Sequence, residues 1–125
     1  VQASRTLELI RKNDFTLLSG EDALVYPMLA IGAMGVISVF SNIAPASMSE
    51  LVNSFFKGDT TRARELHYRQ LALCDALFLE TNPIPVKTAL KLLGRGNGEL
   101  RSPMCPMQDA LRAKLEQALR DFKLL

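Results

Sequence analysis

The tightest constraint on this chain is a pair of short apolar runs, residues 15–18 and 36–40, separated by one helical stretch. Phe15-Thr16-Leu17-Leu18 ends at Ser19-Gly20, the pattern of a buried strand followed by a turn. Val36-Ile37-Ser38-Val39-Phe40 is nearly continuous in β-branched and apolar residues, as a strand covered on both faces is. Between them residues 23–31 read as helix, with Asp22 placed to cap it and Gly32 and Gly35 at its exit. Strand, helix, strand is a crossover unit, so the two strands are expected to run parallel. A two-stranded parallel sheet is not a stable unit alone. Either the helices bury both faces in an unusual way, or most of the sheet lies outside this chain.

Helices dominate the remainder. Residues 6–12 read as the end of a helix, broken at Asn13-Asp14. Pro45 or Ala46 begins a helix through about Phe56. Asp59 or Thr60 caps a long one over residues 61–78, whose buried stripe is expected to be Leu66, Leu71, Cys74, Leu77 and Phe78. Pro83 and Pro85 each lack a donor and restrict the residue before them, so residues 80–85 are not regular helix. Helix resumes over 86–93. A loop with three glycines covers 94–98, and residues 101–106 read as extended. A final amphipathic helix over 108–122 turns Leu111, Leu115, Ala118 and Leu119 inward.

Composition narrows the function classes. Of 125 residues 48% are hydrophobic and 22% charged, which is a globular balance rather than a disordered one. The net charge is +2 with no long basic run, so nucleic acid and membrane surfaces find no footprint. The most apolar stretch, residues 23–46, is interrupted by Pro27, Gly32, Gly35 and Asn42 and is not expected to span a membrane. No apolar segment of the secretory kind follows Val1, and no initiator Met precedes it, so the chain is expected to start inside a longer protein. Cys74, Cys105 and the one histidine, His67, are too few for a zinc site. They read as two reduced thiols and a surface or half-buried helix residue of a cytoplasmic protein.

Four stretches in register resemble the C-terminal part of the dihydrodipicolinate synthase family. They are Phe15-Thr16-Leu17-Leu18-Ser19-Gly20-Glu21-Asp22, Gly35-Val36-Ile37-Ser38-Val39, Glu80-Thr81-Asn82-Pro83-Ile84-Pro85-Val86-Lys87 and Leu100-Arg101-Ser102-Pro103-Met104. Their order and spacing together carry the likeness, and the Asn-Pro-Ile-Pro-Val-Lys stretch separates it from the related sialic-acid lyases. The resemblance implies an α/β fold, the last two parallel strands of a (β/α)8 TIM barrel over residues 1–58. A three-helix C-terminal extension over 59–125 follows. It implies a class I aldolase that condenses pyruvate with aspartate semialdehyde through a lysine imine. No cofactor is implied, and the partners are those two substrates together with a homotetramer or the rest of the barrel. The imine-forming lysine of the family falls before Val1, and Lys87 and Lys91 are not it. The chain alone is therefore expected to be inactive.

In barrels of this kind the active site lies at the C-terminal ends of the strands. The resemblance implies that Ile37 contacts pyruvate through its backbone and that Gly20 lines the same pocket. Glu21 stands where the family more usually has aspartate, and Asn82 faces the mouth of the site. Each has a plainer reading. Ile37 also suits core packing, Gly20 a turn, Glu21 and Asp22 a helix cap, and Asn82 the cap of the helix after it. Two other classes fit the same residues. One is a related pyruvate-dependent lyase, of the N-acetylneuraminate or 2-keto-3-deoxygluconate type. The other is a non-catalytic helical assembly module.

Overall fold

The computed structural model describes residues 2–10 and 14–125. Arg11, Lys12 and Asn13, on which part of the first helix and its break were placed, lie outside the described residues. The helices are α1 (Gln2–Ile10), α2 (Val25–Ala30), α3 (Pro45–Phe56), α4 (Thr60–Ala76), α5 (Ile84–Leu92) and α6 (Asp109–Asp121), with 3₁₀ turns at Asp22–Leu24 and Phe40–Asn42.

The two predicted strands run side by side and parallel, but they do not form a regular ladder. A single parallel bridge joins Ser19 to Val36. In it the Ser19 N–H donates to the Gly35 carbonyl and the Ile37 N–H to the Ser19 carbonyl, both at 2.8 Å. The next rung would need the Gly35 N–H on the Leu17 carbonyl. Met34 takes that acceptor instead, at 2.8 Å, and the register slips by one residue. Beyond Val36 the second run turns into the 3₁₀ turn by Phe40, so the expected strand over 36–40 is an extended segment ending in a turn. Among the described residues neither segment has a further neighbour to extend the pairing, which is why one rung is all that forms.

α3 starts with Pro45 in its first turn, where the missing N–H costs nothing. Lys57, Gly58 (φ +84°) and Asp59 are the three residues between it and α4, and the Asp59 carboxylate accepts from the Arg62 N–H at 3.0 Å. α3 and α4 therefore fold back on each other. The buried stripe of α4 differs from expectation. Ala63, Leu66, Gln70, Leu73, Cys74 and Ala76 are buried, as is Leu77 at its end, while Leu71 is half-buried and Phe78 is exposed. The reason is that a polar residue occupies an inward position. Gln70 is 2% exposed and donates from Nε2 to Ser47 Oγ on α3 at 2.9 Å.

α5 begins two residues earlier than expected. Ile84 and Pro85 are its first residues, since an N-terminal turn has no use for the N–H that proline lacks. The segment expected to be extended after Arg101 contains a tight turn, closed by the Met104 N–H on the Arg101 carbonyl at 3.0 Å. α6 buries Leu115 and Leu119 completely, with Leu111 and Ala118 half-buried beside them. One hydrophobic core runs through all of this, from Val25, Leu29, Phe40 and Met48 to Leu66, Leu73, Leu115 and Phe122. Each large side chain there stabilises the fold by roughly 1.5–3 kcal/mol relative to exposure.

Candidate functional site

Side chains alternate along an extended segment, and this alternation builds the site. Val36 and Ser38 turn toward α3, where with Gly35, Ser41, Pro45 and Met48 they line a shallow groove of about 290 Å³. Ile37 turns the other way and is 71% exposed. Among the described residues no core packs against Ile37. Its N–H is held by the Ser19 carbonyl, while among the described residues no hydrogen bond reaches its carbonyl. Gly20 lies on the same open side. It has no left-handed φ, and nothing lies within 4 Å of where a Cβ would be. A turn requirement does not explain it, and the space beside it is empty.

The acidic pair behind Gly20 divides its work in a way the sequence reading missed. Glu21, exposed, is the cap: its Oε1 accepts from the Ala23 N–H at 3.5 Å. Asp22, read as a cap for its own helix, is 4% exposed and reaches across to the second segment. Its Oδ2 accepts from the Val39 N–H at 3.0 Å and the Phe40 N–H at 2.9 Å, the two amides that open the Phe40–Asn42 turn. Its Oδ1 is buried without a hydrogen-bond partner. Local signals do not separate a carboxylate that caps the next helix from one that caps a turn seventeen residues on. The only clue was that two acids stood where one cap suffices.

The turn at the end of the second segment is fixed from other sides as well. Ser41 N–H donates to Ser38 Oγ at 2.8 Å, Ser41 Oγ donates to the Ser38 carbonyl at 3.0 Å, and Asn42 Nδ2 donates to the Val39 carbonyl at 2.9 Å. The Phe40 ring is fully buried and meets Phe122 edge-on, with centroids 5.5 Å apart. Phe122 in turn lies 4.7 Å beneath the Arg69 guanidinium. Arg95, just past α5, donates to the Ile43 carbonyl at 3.0 Å. The C-terminal helices thus brace the turn that the Ile37 segment runs into.

Asn82 is exposed and follows a different course from that expected of a cap. The N-cap of α5 is Pro83, with no side-chain cap bond, and the Asn82–Pro83 peptide is cis. No hydrogen bond joins Asn82 to Ile37, Gly20 or Glu21 among the described residues, although α5 packs on the Phe40–Asn42 turn. Gly20, Glu21 and Ile37 thus lie on or beside the bridged segments, and Asn82 lies just before α5 without a hydrogen bond to them among the described residues.

Burial, reinforced by the charges of Asp22, Asp75 and Glu21, pushes the Cys74 thiol up to about 12, so it stays protonated and unreactive. Partial burial lowers His67 below its ordinary value. No cluster of three metal-ligating side chains occurs among the described residues. No described helix is long and apolar enough to cross a membrane. A cavity of about 680 Å³ lies between Leu7, Phe15 and Ile31, and none of the candidate residues lines it.

Comparison with known proteins gives this arrangement its context. The model of the Dihydrodipicolinate synthetase family matches residues 2–122. The 4-hydroxy-tetrahydrodipicolinate synthase of Methanothrix thermoacetophila is 54% identical over 94% of the chain, and that of Methanocaldococcus jannaschii 48% identical over 98%. The chain spans 40% and 42% of the length of these two curated relatives. Among solved structures, the dihydrodipicolinate synthase from Thermotoga maritima superimposes with a TM-score of 0.95 at 42% identity, covering 99% of this chain and 43% of its own. The enzyme from Aquifex aeolicus gives 0.91 at 43% identity, covering 98% of this chain and 42% of its own.

Proposed function

We propose a function from one premise: the chain belongs to the dihydrodipicolinate synthetase family. Within an intact enzyme it supplies the last two staves of a (β/α)8 barrel, residues 1–58, and the helical extension, residues 59–125. That enzyme is a 4-hydroxy-tetrahydrodipicolinate synthase, a lyase of lysine and diaminopimelate biosynthesis that joins pyruvate to aspartate semialdehyde. The observation that carries this reading is the likeness to synthases of that name at 48–54% identity across 94–98% of the chain. The parallel bridge and the open side of Ile37 suit a barrel whose other staves lie beside them.

The chemistry is that of an imine-forming aldolase. A lysine amine from the preceding part of the barrel condenses with the ketone of pyruvate and expels water. The iminium then draws electrons from the methyl group, which loses a proton to give an enamine. The enamine carbon attacks the aldehyde of aspartate semialdehyde, and water releases the product, which cyclises. Here Gly20 and the Ile37 carbonyl line the pyruvate pocket, Glu21 borders it, and Asn82 stands at its mouth. The assembled enzyme is a homo-oligomer, in the form of a tetramer.

The test pairs the chain with the preceding portion of the Methanothrix synthase. The 125-residue chain alone is expected to give no condensation product and no pyruvate adduct on borohydride treatment. With the preceding portion supplied, both should appear. If that portion regains activity with its own C-terminal part but never with this chain, the assignment fails.

A further inference from the structure

The Ile37–Ser38 peptide sits between two anchors. On one side the Ile37 N–H is tied to the Ser19 carbonyl at 2.8 Å. On the other, one carboxylate oxygen of Asp22 takes the next two amides, Val39 and Phe40, at 3.0 and 2.9 Å. Between these anchors the Ile37 carbonyl is the backbone acceptor left free among the described residues, in a residue that is 71% exposed. Both anchors come from the Ser19–Asp22 stretch, so the first segment sets the attitude of the second at this point.

The Asp22 arrangement is more than a turn cap requires. Asp22 is 4% exposed, and its Oδ1 is buried with no partner. A neutral serine or asparagine would cap a turn without burying a carboxylate, and leaving an acceptor unpaired there costs stability. A buried ionised oxygen holding two amides makes charge-assisted bonds about twice as strong as neutral ones. The return for that cost is rigidity at one peptide plane. We propose that Asp22 is a positioning residue for pyruvate. By clamping the Val39 and Phe40 amides it fixes the Ile37–Ser38 peptide, so that the Ile37 carbonyl meets the bound 2-oxo acid in one orientation. This rests on the proposed function and names the residue behind its pocket.

The experiment uses this chain joined behind the preceding portion of a relative, with borohydride trapping as a function of pyruvate concentration and steady-state rates beside it. Asp22→Ala is expected to raise the KM for pyruvate about tenfold with kcat within about threefold, the signature of lost ground-state binding rather than lost chemistry. Asp22→Asn keeps an acceptor for both amides without the charge, and its KM should rise only about threefold. Leu73→Ala serves as the comparison. It opens the core on α4, where Leu73 is 1% exposed, and should lower the melting temperature while leaving KM unchanged. Where Asp22→Ala does not fold, Asp22→Asn decides. An unchanged KM in the Asp22 variants, or an equal rise in Leu73→Ala, overturns the proposal. Failure of the unsubstituted protein to trap pyruvate at all would sink the functional reading instead.

Discussion

Cys74 shows what burial does to a group that has no part in the chemistry. It is 2% exposed on α4, and its thiol holds its proton up to about 12 rather than the ordinary 9.0. The unfolded chain gives that proton up from about pH 9.0, while the folded chain keeps it. The stabilisation is therefore complete below 9.0 and is lost as pH climbs toward 12. The melting temperature should fall less steeply across that window in Cys74→Ala than in the native chain. Parallel curves would show that Cys74 contributes nothing to the slope. Asp22 is the opposite case: a buried polar group with a task. Its type and position were legible, but its partner was not, because the amides it holds belong to a turn whose place is set by tertiary packing. Ile37, Gly20 and Glu21 were singled out only as a set carried by family likeness. Their own surroundings suited a core, a turn and a cap equally well.

α4 was readable in its cap and its length, and in Leu66, Cys74 and Leu77 of its inward face. Asp59→Ala removes the acceptor of the Arg62 N–H and is expected to cost about 1 kcal/mol, measured as a shift in the urea midpoint at constant slope. No shift would mean that solvent serves that amide as well. The inward face was misjudged at Gln70, since a glutamine is ordinarily counted with the outer face. Its burial depends on Ser47 of α3 offering a hydroxyl, a contact across twenty-three residues that no local pattern encodes. The extended segments failed differently. Their composition was right for strands and their direction was right, but a ladder is a property of neighbours. With one rung available, the second run bends at Val39 into the Phe40–Asn42 turn. Proline placement misled at α5 for a simple reason: the same missing N–H that breaks a helix interior is harmless in a first turn.

At the scale of the molecule the open side stands out. Phe15 is 63% exposed, Leu18 41%, Met34 57% and Ile37 71%, all from the two bridged segments. Exposed apolar side chains on unpaired extended segments are of the kind that seek a partner. The isolated chain is expected to elute above its 13.8 kDa mass in a concentration-dependent way, and the pair Phe15→Glu with Met34→Lys should return it toward that mass. A monomer at every concentration would show that this exposure is harmless. The opposite side is closed by the core that α3 shares with α4, α5 and α6, and it is there that the bend at Gly58 and Asp59 sits, exposed and outside both helices. A protease would find that bend, yet a cut there would release nothing. The severed halves would stay zipped through the interior, and the scissile joint would act as an internal nick rather than a seam.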